Sequence, residues 1–114
     1  MQHDKWSKTE KAVAKRAFEA ALHNEYGALA GKIKEMAFHA KEPKDIWRLH
    51  DFLTEKRKEI GRKYDYRYSR LILVFALLMK DGWLKEEDLR GLQEDKIEKI
   101  KFLASGLAYD SDDD

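Results

Sequence analysis

The sequence predicts an all-α fold. Three observations predict it. One proline and six glycines in 114 residues leave little turn chemistry for β-hairpins. The strong helix formers Ala, Leu, Lys and Glu dominate the chain. Apolar residues recur at helical spacing and not in alternation.

Ser7 with Glu10 forms the pattern of a capping box, so a first helix is expected to begin there. Val13, Ala17, Ala20, Ala21, Leu29, Ile33, Met36 and Ala37 then give a stripe running to about Ala40. Gly27 and Gly31 each cost roughly 1 kcal/mol against alanine and leave room for a kink or a close backbone. Pro43 suits the first turn of a second helix, where its missing N–H is no loss. Ile46, Leu49, Leu53 and Ile60 mark one face of that helix, with Trp47, His50 and Arg57 on its flank. Past Gly61, "RKYDYRYSR" has no proline and the apolar period resumes, so the helix is expected to bend and continue. Leu71 to Met79 is apolar all round, which predicts burial on every side, and Gly82 is placed to cap its end. Short helices over about Glu86 to Leu92 and Glu94 to Leu103 follow. The expected organisation is one helical domain over residues 1–106. Residues 107–114, ending "YDSDDD", are expected to be a flexible acidic tail.

Charge and composition narrow the function. Twenty-three basic residues nearly balance 22 acidic ones, so no global field draws the chain to polyanions or lipid headgroups. Without cysteine there are no disulfides, thiolate ligands or thiol nucleophiles. The N-terminus lacks an apolar signal core and the longest apolar run is too short to span a bilayer, so a cytoplasmic protein without membrane insertion is expected.

Several side chains invite chemistry. His50 and Asp51 are adjacent, and helix geometry turns neighbours about 100° apart, which speaks against a relay within one chain. Glu19 with His23 and Glu35 with His39 share faces, but neither has the Glu-x-x-His spacing of a di-metal bundle, and solvation is the better reading. From Glu55 to Arg70, seven basic residues against three acidic ones surround Tyr64, Tyr66 and Tyr68, a composition able to grip phosphates and stack bases. A solvated helix laced with ion pairs, such as Glu55 and Glu59 facing Lys63, explains the same stretch more simply. Trp47, Asp51 and Arg57 on one long helix leave more apolar surface than a two-helix hairpin covers, so self-association as a homodimer is expected to bury it.

"IWRLHDFLTEKRKEIGRKYDYR", then "LILVFALLMKDG" and "DKIEKIKFLA", resembles the fluorescence recovery protein family of cyanobacteria over about the last two-thirds of the chain. The first helix matches only in kind. The resemblance implies an elongated helical hairpin with a small C-terminal helical head, assembled as an all-helical homodimer without enzymatic activity or cofactor, with long helices and the dimer seam over about 7–64 and the head over about 65–106. Such proteins bind the C-terminal domain of photoactivated orange carotenoid protein, speed its return from the red to the orange form, and end quenching at the phycobilisome, beside the thylakoid membrane. It implies functional roles for Trp47, His50, Asp51 and Arg57, with Ile46 in the dimer seam. In the head, the family's functional aromatic and lysine map to Leu73 and Lys99, and Phe75 is close by on the same helix as Leu73. Trp47 and Ile46 are then expected to anchor, Asp51 and Arg57 to make charged contacts across the seam, and Phe75 and Lys99 to face the partner. The alternatives are a relative that binds an unrelated protein, and a nucleic-acid-binding protein using Arg62, Lys63, Arg67 and Arg70; metal-assisted hydrolysis with His23 and His39 is the weakest.

Overall fold

A computed structural model describes the backbone of residues 5–112 and the side chains of residues 5–107. The described chain is all-helical: α1 (Lys8–His39), α2 (Pro43–Lys63), α3 (Leu71–Lys80), a 3-10 turn (Glu86–Leu89) and α4 (Glu94–Asp112). Its extents of 52 × 33 × 25 Å are those of a head with a long projecting arm.

Local chemistry sets most helix ends. The Ser7 hydroxyl accepts from the Glu10 amide at 3.1 Å while the Glu10 carboxylate accepts from the Ser7 amide at 3.0 Å, completing the capping box. Pro43 occupies the first turn of α2. There the Asp45 carboxylate accepts from the Lys41 and Glu42 amides at 2.9 and 3.0 Å, which holds its carboxyl below the ordinary range. Gly82, at φ +87°, ends α3: its amide donates to Met79 and that of Trp83 to Leu78, the paired bonds of a Schellman cap.

The core lies in the head. Phe75, Leu71, Leu78, Leu89 and Ile100 are fully buried, each contributing about 1.5–3 kcal/mol relative to exposure. The N-terminal half of α1 presents Val13, Ala14, Ala17 and Ala21 to this core. Gly91 sits at φ +111° so close to α1 that a Cβ there would meet Val13 Cγ2 at 2.7 Å, so only glycine fits. After Glu25, α1 has no buried residue, and Ala20 and Ala37 of the expected stripe are exposed. Only Ile60 of α2 is buried.

Two buried ionic clusters tie the pieces together. Lys96 of α4 reaches both carboxylate oxygens of Glu10 at 3.2 and 3.1 Å, and the Gln93 amide donates to the same group at 2.9 Å. Burial opposes ionisation of Glu10, but the Gln93 and Ser7 amides and Lys96 outweigh it and lower its pKa. At the other end of the head, Glu25 accepts from Lys63 at 2.9 Å and from the Tyr64 hydroxyl at 2.8 Å, and Lys63 also lies 3.5 Å from Asp81. This second cluster fixes the root of the α1–α2 arm against the end of α3.

Two expectations for helix ends are corrected. Helix α2 runs through Gly61 unbroken but stops at Lys63 and does not continue into "RKYDYRYSR". The chain turns extended so that Tyr64 and Tyr66 pack edge-on against Phe18, with ring centroids 5.3 and 4.8 Å apart, and tertiary burial overrides a helical propensity worth tenths of a kcal/mol per residue. Helix α4 extends to Asp112, well past Leu103. Of the segment expected to be a flexible tail, residues 113–114 and the side chains from 108 onward lie outside those described.

Candidate functional site

The most exposed apolar surface of the arm lies around the α1–α2 turn. Phe38 is 75% exposed, Ile46 57% and Trp47 63%. Leu29, Ile33, Met36, Leu49, Phe52 and Leu53 are half-buried along the same two helices. Helices α1 and α2 do not close on each other completely: Leu29, Phe52 and Ile60 line a cleft of about 270 Å³ between them. So the arm presents an apolar strip that its own chain leaves uncovered, and large exposed aromatics on such a strip are the signature of an association surface.

The residues singled out on α2 fall on or beside this strip. The Trp47 and His50 rings meet edge-on at 6.0 Å. His50 Nδ1 lies 3.4 Å from Asp51 Oδ1, so these neighbours do approach each other, contrary to the simple angular argument. Side-chain torsions supply the reach that helix geometry denies. The contact is long, and both side chains are largely exposed, at 66% and 82%, which suits a binding surface better than a shielded proton relay. Arg57 is exposed and has no carboxylate partner among the described residues. Six positions apart on one helix, Asp51 and Arg57 face different ways and make no ion pair with each other.

In the head, Leu73 is half-buried and Lys99 exposed. Phe75 is fully buried, which corrects its expected place on a partner-facing surface: its ring fills the centre of the core. The most exposed aromatic of the head is instead Phe102, at 78%, three positions along α4 from Lys99. Sequence reasoning passed over it, although a signal existed. Ile97, Ile100, Ala104 and Leu107 mark the inward stripe of α4, and Phe102 is out of phase with them.

The basic stretch is not a free cationic surface. Lys63 is buried in the Glu25 cluster, while Arg67 forks onto Asp65, and Arg70 lies 4.0 Å from the same carboxylate. Asp65 is lowered by these arginines and Arg67 raised by Asp65. Of the four cations the nucleic-acid reading required, three are engaged internally. Among the described residues no three His, Cys, Asp or Glu side chains gather where a metal could sit, and no helix is long and apolar enough to cross a membrane.

Residues 6–104 match the family model for the photoprotection regulator fluorescence recovery protein. The chain belongs to the fluorescence recovery protein family. The fluorescence recovery protein of Synechocystis sp. is 42% identical over 99 residues, 87% of this chain and 91% of the relative. Solved structures of fluorescence recovery proteins from Fremyella diplosiphon and Synechocystis sp. are 48% and 42% identical, each with a TM-score of 0.85 over 89% of this chain and 99% of theirs. The match takes in α1, so family membership reaches the helix that resembled the family only in kind. It is a family of photoprotection regulators, and the all-helical architecture follows its solved members.

Proposed function

We propose that this protein is a noncatalytic, cytoplasmic regulator that works as a homodimer, binds photoactivated orange carotenoid protein through that protein's C-terminal domain, and accelerates its return from red to orange, ending phycobilisome quenching. The observation that carries the proposal is the uncovered strip around Ile46 and Trp47 on an arm that belongs to this family. Pairing two copies along the strip removes the most exposed indole of the arm from water. It also gives Asp51 and Arg57 counter-charges that one chain does not supply. His50 sits beside Trp47 at the seam. Leu73 and Lys99 belong to the partner-binding head, with Phe102 taking the aromatic role expected of Phe75.

A binder changes a partner's equilibrium only by its differential affinity for two states. To speed the reversion it must hold the transition state more tightly than the red state, and each 1.4 kcal/mol of such preference gives about a tenfold faster rate. Purified protein added to light-activated orange carotenoid protein tests this directly by the rate of red-to-orange recovery. Acceleration that is lost in Arg57→Ala and Trp47→Ala is expected; an unchanged rate with the native protein rejects the assignment of partner.

A further inference from the structure

The Tyr66–Tyr68 segment builds a surface that the proposed function does not use. Lys11, Lys15, Phe18, Glu19, Tyr66 and Tyr68 line a groove of about 560 Å³ on the N-terminal half of α1. It lies about 36 Å along α1 from the turn that carries the apolar strip, counting 1.5 Å for each residue from Lys15 to His39. Its walls are aromatic: Tyr66 packs edge-on against Phe18 at 4.8 Å and against Tyr68 at 5.7 Å. Burial, the largest influence, pushes the Tyr66 hydroxyl up to about 12. Its rim is cationic: Lys11 Nζ stands 5.1 Å above the Tyr68 ring, Lys15 follows one turn on, and neither meets a carboxylate among the described residues.

We propose that this groove is a second docking site, for an extended acidic segment of a partner protein that carries an apolar side chain. The apolar side chain enters between Phe18, Tyr66 and Tyr68, and two carboxylates pair with Lys11 and Lys15. Lysines one turn apart on a helix are separated by about 5–6 Å. Carboxylates on alternate residues of an extended chain are about 6.6 Å apart and point to the same side, so an acidic residue at every second position matches the rim. Glu19 closes one end of the groove and repels a further carboxylate, which directs the acidic end of the segment towards Lys11. The same Glu19, with Arg67 and Arg70 engaged by Asp65, disfavours a nucleic-acid strand, which needs an unbroken cationic track.

The test uses the full chain and an N-acetylated, C-amidated peptide of sequence Asp-Ser-Asp-Ser-Phe, which puts both carboxylates and the ring on one side of an extended chain, titrated while the amide resonances of Tyr66 and Tyr68 are followed by NMR. Saturable shifts confined to the groove are expected. The Lys11→Glu, Lys15→Glu double variant changes only exposed positions, and it should weaken the peptide at least about tenfold with its circular dichroism unchanged. Equal affinity for the native chain and the variant overturns the proposal, as does the absence of shifts. Tighter binding of a thymidine oligonucleotide overturns it in favour of nucleic acid. Binding only after removal of residues 108–114 overturns it in favour of the chain's own acidic terminus as occupant. The groove residues are absent from the arm, so loss of peptide binding leaves the dimer and the recovery assay as separate readouts.

Discussion

Replacing Glu10 by leucine removes the carboxylate at the centre of the α1–α4 joint. Lys96, whose side chain is 5% exposed, then keeps its ammonium group buried with no carboxylate beside it. Leaving one charge of a buried pair stranded costs about 3–5 kcal/mol. The Ser7 and Gln93 amides also lose their acceptor, but both residues are exposed and water replaces it, so they add little. In the reverse change, Lys96→Met, the two backbone amides still hold the Glu10 carboxylate, and the cost falls near the lower end of that range. With both changed, the apolar pair fills similar volume without a stranded charge, and most of the loss is recovered. Urea unfolding of the native chain, the two single variants and the double variant closes the cycle, and a strongly non-additive coupling is expected. A Glu10→Leu cost under about 1 kcal/mol, or losses that simply add, refutes the view that this pair is a desolvated joint.

Three further outcomes follow from named contacts. Because folding lowers Glu10 below its ordinary 4.5, the ionised form stabilises the fold above that value and the contribution is lost as pH falls through the folded pKa; melting temperature followed from neutral pH into acid should drop less steeply in Glu10→Gln than in the native chain. Gly91→Ala, which forces a side chain into positive φ and against Val13, should cost more than about 1–3 kcal/mol in denaturant unfolding, whereas Gly61→Ala, in an open stretch of α2, should be neutral or raise stability by up to about 1 kcal/mol. Trp47→Ala should leave the unfolding free energy of the dilute, unassociated chain within about 0.5 kcal/mol and weaken self-association by about 2 kcal/mol or more in sedimentation equilibrium.

What could be read from sequence was what depends on neighbours in the chain. The Ser7–Glu10 box, Pro43 at the start of α2 and Gly82 after α3 are each decided within a few residues, and each formed as expected. The exposed Ile46 and Trp47 were also legible, because two long helices with one apolar stripe each leave surface uncovered. Long-range partners escaped. Lys63 read as a solvated charge until Glu25, 38 positions earlier, was placed beside it. The end of α2 depended on Phe18 receiving Tyr64 and Tyr66, which no local pattern announces. Phe75 could not be oriented because a helix apolar on every side has no distinguishable outer face, and its neighbour Leu73 is only half-buried while Phe75 is enclosed. Phe102 lay in plain view of the periodicity, as the aromatic that breaks the stripe of α4.

In the proposed homodimer the arm of one molecule is covered by the arm of another. Size-exclusion chromatography with light scattering on the native chain and on Ile46→Glu measures that directly. A dimeric mass for the native protein and a monomeric mass for a still-helical Ile46→Glu are predicted; a native monomer, or a variant that keeps the dimeric mass, contradicts this pairing of the arms.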